Sequence, residues 1–203
     1  MPHSDESSYH ILALMSGGVD STAMVLEPAL TAGLTVRVHG LFVDYGQQSA
    51  SLEWKAAQSV AAELGIDLDR VYLSKWWMGD MNVPPGAVDP SGPRIVPARN
   101  AMLLSTAAAF ILSDDTSPIN TIWIGATEND ASNYPDCRGE FLEAMSSAFF
   151  HAYGIEVFPG GDGFWESTRA QRRANTVGLE TWSCYAPLST GLPCEECDSC
   201  RQD

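Results

Sequence analysis

Apolar positions along this chain fall into short unbroken runs, separated by longer stretches with helical spacing. The first run, Ile11-Leu12-Ala13-Leu14-Met15, stops at Gly17-Gly18 and is followed by a helix-like stretch from about Asp20 to Ala32. A buried strand feeding a helix is the expected reading. A second strand, Val36 to Val43, precedes an amphipathic segment from Ala50 to Leu64 with Gly65 as its stop, and Val71-Tyr72-Leu73 reads as a third strand. After a Pro/Gly-rich loop from Gly79 to Pro93, Ala98 to Leu112 is helix-like and Thr121 to Gly125 is again strand-like. A helix from about Arg138 to Tyr153, a strand from Ile155 to Phe158 and a polar helix from about Glu166 to Thr176 follow, and the tail from Trp182 reads as irregular. Strands alternating with helices predict a doubly wound α/β fold on a mostly parallel sheet. Residues 9–180 are expected to form this domain, and residues 181–203 a small tail packed on it.

Composition agrees with a single compact domain, because 203 residues with 45% hydrophobic and 18% charged residues suffice for one core. The segment through Ser8 reads as a loose polar arm. No apolar run reaches the roughly 18 residues of a membrane span, and no basic-then-apolar leader is present, so a soluble cytoplasmic protein is expected. The net charge of −15, with two lysines (Lys55 and Lys75) and nine arginines, disfavours nucleic acid and favours a small substrate.

The chemistry begins at Ser16-Gly17-Gly18-Val19-Asp20-Ser21, between the first strand and the first helix, where α/β folds bind ligands. Glycines let backbone N–H groups turn toward an anion, the helix N-terminus adds partial positive charge, and Ser16 and Ser21 offer hydroxyl donors. Asp20 is placed to cap the helix or to hold Mg²⁺. This string resembles the PP-loop of the ATP pyrophosphatases, which cleave ATP between its α- and β-phosphates. It lacks the lysine of a Walker A loop. The other strong signal is the set Cys184, Cys194, Cys197 and Cys200, whose spacing suits tetrahedral thiolate ligation of a structural Zn²⁺, with an iron–sulfur cluster as the other reading. Cys137 stands apart and reads as a small buried hydrophobe, with a covalent role the less favoured reading. Trp76 and Trp77 read as core or interface aromatics, and His3, His10, His39 and His151 show no ligand-like spacing.

Further strings narrow the resemblance. Asp44-Tyr45-Gly46-Gln47, Val96-Pro97-Ala98-Arg99-Asn100, Tyr134-Pro135-Asp136-Cys137-Arg138 and Thr181-Trp182-Ser183-Cys184-Tyr185 together resemble the 7-cyano-7-deazaguanine synthase family of PP-loop ATP pyrophosphatases. The resemblance runs from about Ile11 to Arg201. It implies an ATP-dependent carbon–nitrogen ligase of queuosine biosynthesis that adenylates 7-carboxy-7-deazaguanine and reacts it with ammonia, giving the amide and then the nitrile. It also implies zinc on the four late cysteines and often a homodimer.

On this reading Ser16, Gly17, Gly18, Asp20 and Ser21 hold ATP and Mg²⁺, while Tyr45, Arg99, Asn100, Tyr134 and Asp136 bind the deazapurine carboxylate. Asp20, Arg99, Asp136 and Arg138 are the expected catalytic residues. Asp136 is placed to meet the amino-pyrimidinone edge or to serve as a helix N-cap. The chain departs from the family pattern at Gln48-Ser49, where basic residues are usual, at Glu195, where glycine is usual, and at Ser167-Thr168-Arg169, where a lysine-bearing helix start is usual. These departures bear on the acceptor. They motivate an alternative in which a divergent, defence-associated enzyme of this kind conjugates the activated deazaguanine to an amine on a partner protein.

Overall fold

A computed structural model describes residues 9–30, 36–73 and 96–202. The polar arm, the Pro/Gly-rich loop from Gly79 to Pro93, and Trp76 and Trp77 lie outside the described residues. Among the described residues, five strands, β1 (Tyr9–Leu14), β2 (Val36–Asp44), β3 (Asp67–Tyr72), β4 (Thr121–Trp123) and β5 (Glu156–Phe158), form one sheet in the order β3-β2-β1-β4-β5. All four strand pairings are parallel, as the βα alternation predicts. The helices are α1 (Val19–Leu30), α2 (Ala50–Leu64), α3 (Arg99–Leu112), α4 (Glu128–Ala131), α5 (Gly139–Tyr153), α6 (Arg169–Asn175) and α7 (Asp198–Gln202).

β1 is central and its inner residues are buried without a break, because both faces of a parallel sheet are covered by helices. Its side chains alternate between two cores. Leu12 and Leu14 join Leu41, Val43, Ile122 and the α3 residues Leu104, Ala107 and Ile111. Ala13 and Met15 join Met24 and Val25 of α1, Val60 and Ala61 of α2, and Phe164. With this period of two, α1 and α2 cover one face of the sheet and α3 and α5 the other, which makes the fold doubly wound. At about 25 cal/mol per Å² of apolar surface buried, these two cores are the main stabilising term.

The differences from the sequence reading sit where the signal is short or charged. β3 is the Asp67–Tyr72 edge strand, not the apolar triplet Val71–Leu73, because Asp67 and Asp69 face solvent and Arg70 pairs with Asp44 while its backbone pairs with β2. α6 begins only at Arg169, after a capping box in which Thr168 and Gln171 exchange hydrogen bonds. The tail holds the five-residue α7, too short for hydrophobic periodicity to reveal. α4, with the Thr127/Asp130 capping box, and a 3-10 turn at Pro135–Cys137 were likewise not anticipated.

Candidate active site and metal centre

The expected phosphate loop lies beyond the C-terminal end of β1, at the point where the chain leaves toward β2 on one side and β4 pairs on the other. Gly17 has φ 73°, and a Cβ there would lie 2.5 Å from Ala57 N and 2.6 Å from Glu53 O of α2. The glycine is therefore needed twice, for its left-handed backbone and for the close approach of a neighbouring helix. Ser16 N–H donates to Ser21 Oγ at 3.2 Å, Ser21 Oγ donates to Gly18 O at 3.2 Å, and the two serine hydroxyls stand 3.2 Å apart. The loop is thus preformed at the N-terminus of the twelve-residue α1, whose partial positive charge favours an anion.

Asp20 lies in the first turn of α1 and is bonded on both carboxylate oxygens. Its Oδ2 accepts from Arg169 Nη1 and its Oδ1 from Arg172 Nε, both at 2.6 Å. Each carboxylate oxygen is thus engaged by a guanidinium, and Asp20 anchors two arginines beside the phosphate loop. Arg172 is 2% exposed and is also held by Ser167, through the carbonyl oxygen and the hydroxyl, with its guanidinium over the Phe164 ring. Arg169 Nη2 continues to Ser183 Oγ at 3.2 Å. Arg169 and Arg172 thus bring two guanidinium groups onto Asp20 at the phosphate loop, on a chain whose overall charge is −15. Asp130 is a further carboxylate nearby; burial raises its pKa and the charge of Asp20 adds to that rise.

The second group of expected residues gathers on three loops. Asn100 is 3% exposed; its backbone N–H donates to Asp136 Oδ2 at 2.9 Å, and its side-chain amide donates to Asp136 O at 2.8 Å and to Cys137 Sγ. Asp136 therefore caps α3 from 36 residues away, and Asn100 ties the 3-10 turn to that helix. Arg99, next to Ala98 in a left-handed backbone at φ 55°, lies with its guanidinium over the Tyr134 ring at 5.8 Å. Burial opposes its charge, but Tyr45 and Tyr185, followed by Cys137 and Asp136, outweigh burial and hold its pKa above the ordinary value. Burial in turn raises the phenols of Tyr45, Tyr134 and Tyr185, against the opposing pull of Arg99. Among the described residues, no carboxylate lies within ion-pair distance of Arg99. Arg138, in contrast, is exposed at the N-terminus of α5, where its backbone carbonyl accepts from Phe141 and Leu142.

Several residues of this region had no role in the sequence reading. Arg169 and Arg172 lie 149 and 152 residues from Asp20, so no local spacing could have paired them with it. Tyr185 lies within reach of both the Arg99 charge and the Asp20 charge. Glu53, on α2 against Gly17, accepts from Ser49 Oγ at 2.6 Å and Gln47 Nε2 at 2.9 Å, yet burial holds its pKa above the usual carboxylate value. Glu53 is the fourth residue of α2, one beyond the N3 position of a capping box from Ser49, so no capping signature singled it out.

The four late cysteines converge. All four Sγ atoms lie within 4.8 Å of one another, with Cys184–Cys194 at 3.6 Å and Cys194–Cys200 at 4.0 Å. None is disulfide-bonded. Sulfurs about 2.3 Å from a tetrahedral Zn²⁺ stand roughly 3.8 Å apart, so the donor set fits one mononuclear ion. A cubane cluster, with each thiolate on a different iron, would spread the sulfurs more widely. Cys194 N–H donates to Cys184 Sγ and Cys197 N–H to Cys194 Sγ, each at 3.3 Å, which favours thiolates. Glu195 adopts φ 60°, the left-handed backbone that explains why glycine is usual there.

A parallel doubly wound sheet, a preformed glycine loop at its switch point and a four-thiolate centre beside it define a PP-loop protein of the nucleotide-using α/β class. The model of the family described as queuosine biosynthesis protein QueC matches residues 10–203. The chain belongs to that family. It is 35% identical to a protein of Erythrobacter litoralis named 7-cyano-7-deazaguanine synthase, over 93% of this chain and 83% of that one. A Thermoplasma acidophilum protein of the same name is 34% identical over 93% and 83% of the two chains. Among solved structures, the U34-tRNA thiolase NcsA from Methanococcus maripaludis, with its iron–sulfur cluster, superposes with a TM-score of 0.57 at 16% identity. That match covers 91% of this chain and 61% of the longer thiolase, and it speaks to the fold. No helix of the described residues is long and apolar enough to cross a membrane.

Proposed function

We propose that the protein uses ATP to activate the carboxylate of 7-carboxy-7-deazaguanine and passes the adenylate to ammonia, forming first the amide and then 7-cyano-7-deazaguanine. The observation that carries this reading is Arg99, a half-buried guanidinium over the Tyr134 ring and close to Tyr45 and Tyr185, without a carboxylate partner among the described residues. Such a cation is set to take a substrate carboxylate, and the surrounding phenol rings offer flat faces to a fused heterocycle. Relatives with this name cover nearly the whole chain, which supports the same substrate.

The backbone N–H groups at Gly17 and Gly18, and the hydroxyls of Ser16 and Ser21, are assigned to the phosphates of ATP, with Arg169 alongside to neutralise them. Arg99 orients one carboxylate oxygen toward the α-phosphorus. That oxygen forms the new P–O bond as the α–β bond breaks and pyrophosphate leaves. Ammonia then adds to the carbonyl carbon, and AMP departs with the carboxylate oxygen, leaving the amide. In a second round the amide oxygen is adenylated, and loss of AMP and a proton yields the nitrile. Asp136 keeps Oδ1 for the amino-pyrimidinone edge, because its Oδ2 caps α3. Asn100 fixes the loop that carries Arg99. Arg138, exposed on the rim, is assigned to steering the anionic substrate. Mg²⁺ is expected to enter with the nucleotide, since Asp20 is engaged by its arginines. Cys184, Cys194, Cys197 and Cys200 hold Zn²⁺, which folds the tail.

Mass spectrometry of a mixture of protein, ATP, Mg²⁺, 7-carboxy-7-deazaguanine and ammonium tests this. Nitrile together with AMP is the expected result. AMP with an amide-linked protein adduct would instead identify the protein-conjugating alternative, and absence of AMP would overturn the proposal.

A further inference from the structure

Cys184 and Tyr185 were assigned above to the metal and to the surroundings of Arg99, but the segment Trp182–Tyr185 as a unit was given no role, and its residues reach different parts of the site. Trp182 N–H donates to Gly17 O of the phosphate loop at 2.8 Å, and its indole Nε1 donates to Cys184 O at 2.9 Å. Ser183 Oγ accepts from Arg169, the guanidinium bound to Asp20. Cys184, 3% exposed, is the first thiolate of the metal centre and accepts the Cys194 N–H. Tyr185 lies within electrostatic reach of Arg99. Four consecutive residues thus join the phosphate loop, the Arg169–Asp20 pair, the cysteine knot and the surroundings of Arg99. An extended chain spans only about 3.3–3.6 Å per residue, so displacing any one of them must move its neighbours.

We infer that Trp182–Tyr185 is a coupling strap, and that Ser183 is a positioning residue linking nucleotide binding on the phosphate loop to retention of metal by the four cysteines. The inference rests on the proposal that the phosphate loop binds ATP. The physical argument is reciprocity. Nucleotide that draws on Arg169 and the Gly17 loop fixes the strap and with it the Cys184 thiolate, so bound nucleotide slows metal loss. Conversely, metal on the knot holds Ser183 and Tyr185 where they orient Arg169 and Arg99. A tail that merely completes the fold would have no such exchange with the ligand.

The test follows zinc release from the zinc-loaded full-length protein to an excess of the coloured chelator pyridylazoresorcinol. Release is measured with and without saturating α,β-methylene-ATP, and calorimetry on the same samples establishes nucleotide binding. Bound nucleotide is expected to slow release by about tenfold, within the usual range of coupling between sites. Ser183→Ala, once saturated with nucleotide, loses most of that protection, and Ser183→Thr, which keeps a hydroxyl, restores it. Bound nucleotide with unchanged release, or full protection in Ser183→Ala, would overturn the coupling alone. Failure of the nucleotide to bind would overturn it together with the ATP reading on which it rests.

Discussion

The phosphate loop and the cysteine knot lie one hydrogen bond apart, Trp182 N–H to Gly17 O, yet different forces order them. The loop is a product of the sheet. β1 is sealed between two cores, α2 presses on Gly17, and the loop hydroxyls are bonded to one another before any ligand arrives. The knot buries little besides Cys184, Cys197 and Ser199, and most of its residues from Leu188 to Glu196 are exposed. It has little apolar surface to fold by burial, and on the proposed reading thiolate–metal bonds supply its order. A loop fixed by the sheet thus borders a segment proposed to depend on a bound ion.

This difference can be broken from either side. The largest effect is expected from Gly17→Ala, whose Cβ would collide with the α2 backbone at a position already requiring left-handed φ. Urea unfolding should show a loss of about 3 kcal/mol, while metal content per folded molecule stays the same. Next, Cys197→Ser should abolish stoichiometric zinc by elemental analysis and raise proteolytic cleavage beyond Trp182, with the far-ultraviolet circular dichroism of the sheet retained. Glu195→Gly removes a left-handed strain of about 1 kcal/mol, and a chelator titration should show several-fold tighter zinc.

The smallest effect concerns Glu53. Burial holds its carboxyl above the usual value, so the native state resists its ionisation, and wild-type stability falls as pH climbs through the native pKa. Glu53→Gln carries no such charge. Its melting temperature relative to wild type should therefore improve from acidic to neutral pH, and a difference independent of pH would contradict the assignment.

What the sequence disclosed follows the range of the interactions involved. β1 and its loop were legible because an apolar run, two glycines and a following helix are neighbours in the chain. The metal centre was legible because three of its cysteines recur every third residue. The arginine partners of Asp20 were not, because Arg169 and Arg172 reach it only through packing of α6 on α1. Asp136 was read as a substrate contact or a local cap, and it proves to cap α3, a helix that precedes it in sequence. β3 was shortened because an edge strand with exposed Asp67 and Asp69 lacks the apolar run of a central one. Glu195 carried its message in the sequence, since a residue replacing a usual glycine points to positive φ, and the backbone adopts it.

The central claim is that ATP activates a carboxylate at its α-phosphate beside Arg99. It is tested most directly with 7-carboxy-7-deazaguanine labelled with oxygen-18 in both carboxylate oxygens, followed by mass spectrometry of the nucleotide product. Adenylation and displacement by ammonia predict that label leaves the substrate in AMP. Unlabelled AMP, or label recovered in inorganic phosphate alongside ADP, would contradict the account.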